Sequence, residues 1–405
     1  MRIKAFQALR PPAKIAHLVA SVPYDTVNTE EAIELARGNP RSLLHVSRSE
    51  IDLPVGTDPH SEPVYARALQ NFAEFQSKSI LVRERKPHLY VYRQIMGKHT
   101  QRGIVACCHI EDYEKNIILK HEKTRPEKEN DRMRHISTLR AHTGPVFLTY
   151  RDNVEIDEIV TTSEKSDPLY DFTSVDGIKH TVWRISDDAE MVGLFNRVPV
   201  CYIADGHHRA AASVRVGNEY RLANPSHTGA EEYNWFLAVL FPASQLHILP
   251  YNRCVSDLNG LTKKTFIDAV KRRFKLVRGA KQSPAGARKV SMYLGGEWYA
   301  IGWDRVDAKD VVSTFDVSVL QSQLLDPILG IKEPRTDKRI EFIGGIRGTG
   351  ELVKLVDSGK AAVAFSMFPV SVEDVMTVAD AGLTMPPKST WFEPKLRSGL
   401  LIHTF

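Results

Sequence analysis

The feature that most constrains the fold is an apolar run that ends in a charged turn and continues as an Ala-rich segment. Residues 198–204 read VPVCYIA, DGHHR follows at 205–209, and 209–217 read RAAASVRVG. A short apolar run is typical of a buried strand, and an Ala-rich run favours a helix. The sequence therefore predicts a strand–turn–helix junction at 205–209, with Gly217 as the C-cap of the helix.

Such a junction is suited to bind phosphate. A helix start presents free backbone N–H groups and the positive end of the dipole, and Gly206 allows a tight turn and a close ligand approach. His207, His208 and Arg209 could supply donors or positive charge to phosphate oxygens. Asp205 could hold Mg²⁺ or orient a hydroxyl. The alternative is that Asp205 only caps the helix and both histidines are solvated.

A charged segment at 120–140 is the second candidate. A solvated face is the ordinary interpretation of such a stretch, and the spacing alone favours it. However, Pro126 breaks helical continuity, which predicts that Glu122 and Thr124 lie on a loop. A carboxylate held among Lys120, His121 and Arg125 could act as a general base. Further along, the segment either extends a basic lining or forms a helix surface, through Arg132, Arg134 and His135.

The third candidate is the Pro-Pro-Lys-Ser-Thr segment at 386–390. A lysine followed by two hydroxyl residues is similar to the end of a P-loop, but the glycines of GxxxxGK[ST] are absent throughout, so no NTPase of that type is indicated. The glycine-rich GGIRGTG at 344–350 lacks GxGxxG spacing. By itself, the Pro-Pro-Lys-Ser-Thr segment could be a turn with a helix cap, and the glycine-rich segment does not indicate dinucleotide binding.

Composition narrows the class of protein. A length of 405 residues predicts two to three domains, which we place at 1–250 and 251–405. The longest apolar run, at 236–241, is far shorter than the ~20 residues of a membrane span, and no secretory signal is visible, so we expect a cytoplasmic protein. A net charge of +5 does not demand nucleic acid. Four cysteines without a CxxC pair predict reduced thiols and no structural zinc.

Strands and helices interleave without strict βαβ regularity, which predicts an α+β fold and not a doubly wound sheet. The clearest patterns are a helix at 64–78, a hairpin formed by 89–94 and 103–110, a buried strand in NWFLAVLFPA, and a hairpin that turns at Gly295-Gly296.

In combination and in this order, the three candidate segments resemble the free serine kinases of the ParB/sulfiredoxin-like superfamily. The elements that match are His121-Glu122, DGHHR at 205–209, and Pro-Lys-Ser-Thr at 387–390. The resemblance extends to the strand and helix at 359–376, and the whole chain resembles a widespread bacterial family labelled as a domain of unknown function. It implies a ParB/sulfiredoxin-like catalytic core with additional mixed α/β lobes.

The resemblance also implies residue roles. Glu122 would accept the serine hydroxyl proton, and Asp205 would lie near the reacting oxygen or a Mg²⁺ ion. His207, His208, Gly206 and Arg209 would contact the transferred and leaving phosphates. The donor would also be held by Lys388, Ser389 and Thr390. This interpretation reverses the assignment of Glu122 to a solvated face.

The implied reaction is phosphoryl transfer to free L-serine, giving O-phospho-L-serine for cysteine or serine metabolism. No adenine-binding signature is visible, so the donor is pyrophosphate or an adenine nucleotide, and we favour pyrophosphate. Extra cationic residues for it are Arg125, Arg132, Arg134 and His135; candidate serine anchors are His121, Thr124, Tyr24 and Asp25. A homodimer is compatible with the sequence.

Two other functions compete with this one. A ParB-like nucleotide-binding regulator or DNA-associated protein would need a DNA-reading module with a concentrated basic face, and none is visible. A sulfiredoxin-like reductase would need a cysteine where this chain has His207 and His208.

Overall fold

The chain divides into two compact units. The computed structural model describes residues 1–304 and 310–405. Contacts group residues 1–246 with 394–405 as the first unit, and residues 247–393 form the second. The division lies close to the expected boundary at 250, but the last twelve residues belong to the first unit. They do so because His403–Thr404 pairs with Ala141–His142 and Leu9 exchanges backbone hydrogen bonds with Ile402.

The helices and strands alternate irregularly along both units. The helices are α1 (Ala16–Val19), α2 (Thr29–Ala36), α3 (Leu44–Ser47), α4 (Glu62–Ser77), α5 (Ile110–Glu114), α6 (Pro126–Leu139), α7 (Val154–Ser163), α8 (Asp188–Asn196), α9 (His207–Ala223), α10 (Lys263–Lys271), α11 (Asp316–Leu320), α12 (Gly348–Asp357) and α13 (Val372–Asp380). The strands are β1 (Ile3–Lys4), β2 (Leu9–Arg10), β3 (Val82–Arg83), β4 (Tyr90–Met96), β5 (His99–His109), β6 (Ile118–Leu119), β7 (Ala141–His142), β8 (Val146–Tyr150), β9 (Tyr170–Thr173), β10 (Lys179–Arg184), β11 (Cys201–Asp205), β12 (Trp235–Pro242), β13 (His247–Leu249), β14 (Tyr251–Val255), β15 (Lys275–Arg278), β16 (Lys289–Leu294), β17 (Glu297–Gly302), β18 (Ile340–Gly344), β19 (Val363–Ser366), β20 (Trp391–Glu393) and β21 (His403–Thr404).

A nine-stranded mixed sheet forms the centre of the first unit. Its strand order is β6-β11-β8-β12-β5-β4-β10-β9, and β1 also pairs with β5. Most neighbours are antiparallel, whereas β12 with β8 and β11 with β6 are parallel. The apolar residues of β5, β8, β11 and β12 are buried together with helices α7, α8 and α9 in one core. The strand β11, which ends at Asp205, therefore lies inside the sheet between β6 and β8.

The second unit contains a six-stranded antiparallel sheet of order β15-β17-β16-β19-β14-β18 and a small pair formed by β13 and β20. The buried apolar residues of β14, β18 and β19 pack against α12. Tyr251 of β14 stands opposite Gly344 of β18, and Arg253 stands opposite Phe342. The glycine-rich segment that follows β18 thus begins beside the first residue of β14.

The chain is a mixed α/β protein whose sheets are largely antiparallel, which agrees with the expected absence of a doubly wound sheet. All four cysteines are buried and unbridged. In the described part of the chain, no helix combines the length and the apolar character that crossing a membrane requires.

The prediction that Gly217 ends its helix is wrong, because α9 continues to Ala223. A Cβ at Gly217 would lie 2.6 Å from both the Ile110 side chain and the Tyr233 carbonyl oxygen. The glycine is therefore present because α5 and the segment before β12 approach the middle of the helix closely. The sequence pattern suggested a helix cap, but the close tertiary contact is the reason that this position needs a glycine.

Gly217→Ala is expected to destabilise the protein by about 1–3 kcal/mol, the usual cost of overpacking a close contact. The matched control is Gly193→Ala in α8, where a Cβ would meet nothing within 4 Å. There, alanine should stabilise the helix by up to ~1 kcal/mol. Urea unfolding of both variants measures the difference, and equal effects of the two substitutions would contradict the packing role of Gly217.

Candidate functional site

The junction between β11 and α9 has the strand–turn–helix form that the sequence predicts. Asp205 is the last residue of β11, and α9 begins at His207. Between them, Gly206 adopts φ 89° and ψ 33°, a left-handed conformation that residues with a Cβ seldom adopt. A Cβ at Gly206 would also lie 3.0 Å from the Arg209 guanidinium. Both the backbone and the neighbouring side chain therefore require glycine.

The Asp205 carboxylate is held between two cations. One oxygen, Oδ2, accepts a hydrogen bond from Arg209 Nη2 at 2.8 Å, and Oδ1 accepts one from Lys395 Nζ at 3.1 Å. Burial alone would raise the pKa of Asp205, but Lys395 and Arg209 outweigh that effect and hold it well below its ordinary value. Asp205 is thus an ionised anchor for two positive side chains.

Lys395 was not among the residues selected from the sequence. It lies in WFEPKL, a segment without any pattern that points to chemistry. Only the return of residues 394–405 to the first unit brings it to β11. No local signal in the sequence could have identified it.

The Arg209 side chain is buried and already uses much of its hydrogen-bonding capacity inside the protein. Besides Asp205, its guanidinium donates to the Pro145 carbonyl oxygen. Its Nε lies 3.7 Å from the Asp25 carboxylate and makes no hydrogen bond within the described residues. Burial would lower the pKa of Arg209, but Asp25 and Asp205 raise it, so the charge persists at any physiological pH. Fewer donors remain for a ligand than the sequence suggested.

The two histidines of the junction accept hydrogen bonds from the loop before α6. His207 Nε2 accepts from the His121 backbone N–H at 3.5 Å, and His208 Nε2 accepts from the Arg125 N–H at 3.1 Å. A ring nitrogen that accepts carries no proton, which places the proton of each neutral ring on Nδ1. The loop and the first turn of α9, although distant in sequence, are therefore joined at two points.

Glu122 lies in the same loop, on its exposed side. One carboxylate oxygen is 3.8 Å from His207 Nδ1, and the side chain is 52% exposed. The helix α6 begins at Pro126, and Glu122 and Thr124 both lie on the loop before it, as expected. The structure thus brings the Glu122 carboxylate to the DGHHR junction, where the proton-bearing nitrogen of His207 faces it.

Burial keeps the histidines of this region neutral. It holds the pKa of His207 well below its ordinary value and lowers that of His208, where the nearby Arg125 adds to the effect. The pKa of His121 falls to about 4 for the same reason. Of the two contributions that the sequence allowed, hydrogen-bond donation and positive charge, the neutral rings offer the first, and the charged side chains beside them are Arg209 and Lys395.

His121 lies behind His207 and not at the surface. Its ring is 1% exposed and packs edge-on against the His207 ring, with centroids 4.4 Å apart and planes at 87°. Neither ring nitrogen makes a hydrogen bond of good geometry within residues 1–304 and 310–405. The structure gives this candidate serine anchor a contact with His207.

Residues near the N-terminus contribute to this region. The Arg132 guanidinium of α6 lies 3.7 Å above the Tyr24 ring and pairs with the adjacent Asp131. Asp25 lies 3.7 Å from Arg209. Burial raises the pKa of the Tyr24 hydroxyl, which therefore stays protonated. Tyr24, Asp25 and Arg132 are thus brought together with Arg209, as candidate site residues.

Two other candidate residues of α6, Arg134 and His135, lie on sides of the helix that do not face the junction. Arg134 is exposed, pairs with Glu62 and covers the Tyr65 ring. His135 is buried and bonds to the Val46 carbonyl oxygen at 3.0 Å. The partners of both residues thus lie outside the DGHHR junction.

Two further residues of the loop have contacts of their own. The Thr124 hydroxyl donates to the Glu129 carboxylate. The Lys120 ammonium donates to the Tyr113 carbonyl oxygen at 3.1 Å and covers the Tyr113 ring. These two side chains therefore contact other residues, whereas Glu122 and the His121 ring lie beside His207.

The Pro-Pro-Lys-Ser-Thr segment lies in the second unit, between α13 and β20. Lys388 has a left-handed backbone, with φ 54°, and its ammonium lies 5.3 Å from the centre of the Tyr251 ring. Ser389 is buried, and its hydroxyl donates to the Pro386 carbonyl oxygen at 2.7 Å. Thr390 follows directly, before β20 begins at Trp391.

A protein-bound Mg²⁺ ion does not fit the carboxylate of the junction. Both oxygens of Asp205 already bond to cations. In the described residues, no group of three or more His, Cys, Asp or Glu side chains could hold a metal ion. Magnesium bound by few carboxylates depends on water and substrate phosphates for its other ligands. The geometry makes Asp205 a partner of Arg209 and Lys395, in place of the expected metal ligand.

Comparison with known proteins identifies the family. Residues 3–320 match the model of a family described as a protein of unknown function, DUF1015, and the chain belongs to that family. No curated protein matches the sequence. Among solved structures, C-terminally truncated SbnI from Staphylococcus aureus is similar at 12% identity and a TM-score of 0.39, over 74% of this chain and 87% of its own. A free serine kinase in complex with AMP is similar at 11% identity and a TM-score of 0.37, over 73% of this chain and 91% of its own.

The buried histidines predict a loss of stability in mild acid. A pKa that is lower in the folded state than in the unfolded state means that the unfolded chain binds protons first as the pH falls. The stability present above the ordinary histidine pKa of about 6.5 is therefore lost progressively below it. For His121 and His135 the loss extends to about pH 4, because their pKa values fall to about 4.

Urea unfolding at neutral pH and at about pH 5 measures this effect, with a slope of about 1.4 kcal/mol per pH unit for each histidine that stays neutral when folded. His121→Phe should reduce the slope by nearly one proton. His17 is exposed, and His17→Phe is the matched control. An unchanged slope in His121→Phe would show that His121 does not stay neutral in the folded protein.

Proposed function

We propose that this protein is a phosphotransferase that transfers a phosphoryl group to the hydroxyl of free L-serine and gives O-phospho-L-serine. The observation that carries the proposal is the position of Glu122. A half-exposed carboxylate lies 3.8 Å from His207 Nδ1, beside a glycine turn with ionised Asp205 and buried Arg209. A proton acceptor, fixed positive charge and a helix start occur together, as phosphoryl transfer requires.

In the proposed reaction, Glu122 accepts the proton of the serine hydroxyl. The serine oxygen attacks the donor phosphorus, a new P–O bond forms, and the bond to the leaving phosphate breaks. With pyrophosphate as the donor, the leaving group is inorganic phosphate. His207, with its proton on Nδ1, orients the Glu122 carboxylate, and its Nε2 is occupied by the loop backbone. The proton on Glu122 returns to solvent or to the departing phosphate.

Negative charge on the donor is matched by cations and neutral donors of the site. Arg209 provides buried charge, Lys395 lies on the other side of Asp205, and Arg132 lies near Tyr24. His208 carries its proton on Nδ1 and can donate it to a phosphate oxygen. In the second unit, taken by itself, the resemblance of the Pro-Lys-Ser-Thr segment supports phosphate binding by Lys388, Ser389 and Thr390.

A compact donor such as pyrophosphate needs only cations and hydrogen-bond donors, whereas a nucleotide needs a base pocket as well. The sequence offers no adenine signature, which favours pyrophosphate over ADP or ATP. Because Asp205 does not fit a metal ion, we propose that Mg²⁺ enters as the magnesium complex of the donor.

Glu122→Gln is expected to lower kcat by about 10²–10⁴-fold, the usual contribution of a positioned acid–base group. The amide keeps the size of the side chain but cannot accept the proton. Glu127→Gln, in the exposed first turn of α6, is the matched control and should keep full activity. Wild-type turnover in Glu122→Gln with an unchanged thermal midpoint would remove Glu122 from the role of base.

The donor is tested by incubating the protein with L-serine and Mg²⁺ and, separately, pyrophosphate, ADP or ATP. Mass spectrometry should detect phosphoserine with pyrophosphate, and loss of the product in Glu122→Gln would connect it to the site. Product only with a nucleotide would overturn the choice of donor. Nucleotide binding without product, together with salt-sensitive DNA binding, would favour a ParB-like regulator.

A further inference from the structure

Arg253 in the second unit is a buried arginine that bonds to backbone carbonyl groups. It lies in the middle of β14, its side chain is almost fully buried, and its guanidinium packs 5.3 Å from the Phe342 ring. One nitrogen donates to the Tyr251 carbonyl oxygen. Another lies 3.5 Å from the Pro387 carbonyl oxygen and 3.3 Å from that of Lys388. The arginine therefore contacts the Pro-Pro-Lys-Ser-Thr segment from inside the unit.

Within residues 1–304 and 310–405, no carboxylate pairs with Arg253. Burial lowers its pKa to about 10, which still leaves the guanidinium charged at neutral pH. Burying a charge without a counter-ion is costly, and carbonyl dipoles offset only part of the cost. A buried cation of this kind indicates a role beyond packing.

The bonds to the two carbonyl groups also orient the adjacent N–H groups. In a trans peptide, the C=O and N–H of one peptide unit point in opposite directions. Because the Pro387 and Lys388 carbonyls face Arg253, the N–H groups of Lys388 and Ser389 face away from it. Neither N–H donates a backbone hydrogen bond in the described part of the chain.

Lys388 lies within this pair of peptides and has a left-handed backbone, with φ 54°. Successive N–H groups around a left-handed residue form a concave anion site, often called a nest. The Lys388 ammonium adds a mobile positive charge near the Tyr251 ring, and Arg253 adds a fixed one below the peptides. Two N–H groups and two cations therefore favour an anion at this segment.

We propose that Arg253 is the positioning residue of a phosphate site in which the backbone N–H groups of Lys388 and Ser389 bind the anion. The assignment of this anion to the phosphoryl donor rests on the proposed function. The site itself takes an inorganic phosphate or pyrophosphate group, whatever the acceptor is. Arg253 acts through the backbone of the segment and does not touch the ligand.

The test compares three variants of the full chain: Arg253→Met, Arg253→Lys and the control Arg272→Met. Arg272 is an exposed arginine at the end of α10, and its replacement removes the same charge from the same unit. Calorimetry with magnesium pyrophosphate as the probe measures binding without turnover. Steady-state kinetics then give separate KM values for pyrophosphate and serine.

Arg253→Met should weaken pyrophosphate binding by at least about tenfold, the effect of losing an interaction with a charged group. The KM for pyrophosphate should rise in parallel, while the KM for serine and the behaviour of Arg272→Met stay unchanged. Arg253→Lys keeps the charge but lacks the planar fork that spans the carbonyls, and it should recover only part of the affinity.

A folded Arg253→Met protein that binds pyrophosphate as tightly as wild type would overturn the inference. If Arg253→Met does not fold, pyrophosphate binding is measured in Arg253→Lys. Wild-type affinity for pyrophosphate in Arg253→Lys would then overturn the inference. Failure of the wild-type protein to bind pyrophosphate would overturn it as well. Weakened binding in Arg253→Met, in a protein that makes no phosphoserine, would support the phosphate site and remove the proposed reaction.

Discussion

The arrangement of the junction depends on the Asp205 carboxylate between Arg209 and Lys395. One oxygen bonds to the first turn of α9 at 2.8 Å, and the other bonds to the C-terminal segment at 3.1 Å. A single carboxylate thus connects the end of a central strand, the start of a helix and a segment from the other end of the chain. Removing one partner of a fully buried pair costs about 3–5 kcal/mol. The cost is smaller here, because the Asp205 side chain keeps 29% of its exposure.

The position of the loop before α6 also depends on neutral histidines in the first turn of α9. Each ring of the pair at 207–208 accepts a backbone N–H from the loop that carries Glu122, and an imidazolium could not accept. Burial, which lowers both pKa values, therefore preserves the hydrogen bonds that hold the loop. The same bonds leave the proton of His207 on Nδ1, on the side of Glu122. The neutral state of the two rings and the position of the loop that carries Glu122 therefore depend on each other.

Much of the junction could be predicted from the sequence because its causes are local. An apolar run, a glycine and an Ala-rich run are enough to specify the strand, the turn and the helix. Pro126 specifies the start of α6 and so places Glu122 on a loop. The basic residues of α6 could not be sorted in the same way. Arg132 faces inward and Arg134 outward, which depends on which side of the helix packs against the rest of the unit.

The sequence by itself determined the strand–turn–helix order of the junction, the tight turn at Gly206 and the residue types available for phosphate chemistry. Only the tertiary structure decided that Lys395 pairs with Asp205, that Gly217 lies inside a helix and that Arg253 supports the Lys388 backbone. These outcomes join segments that are far apart in the chain. Burial and ion pairing depend on what surrounds a residue in space, and neighbours in sequence carry no record of it.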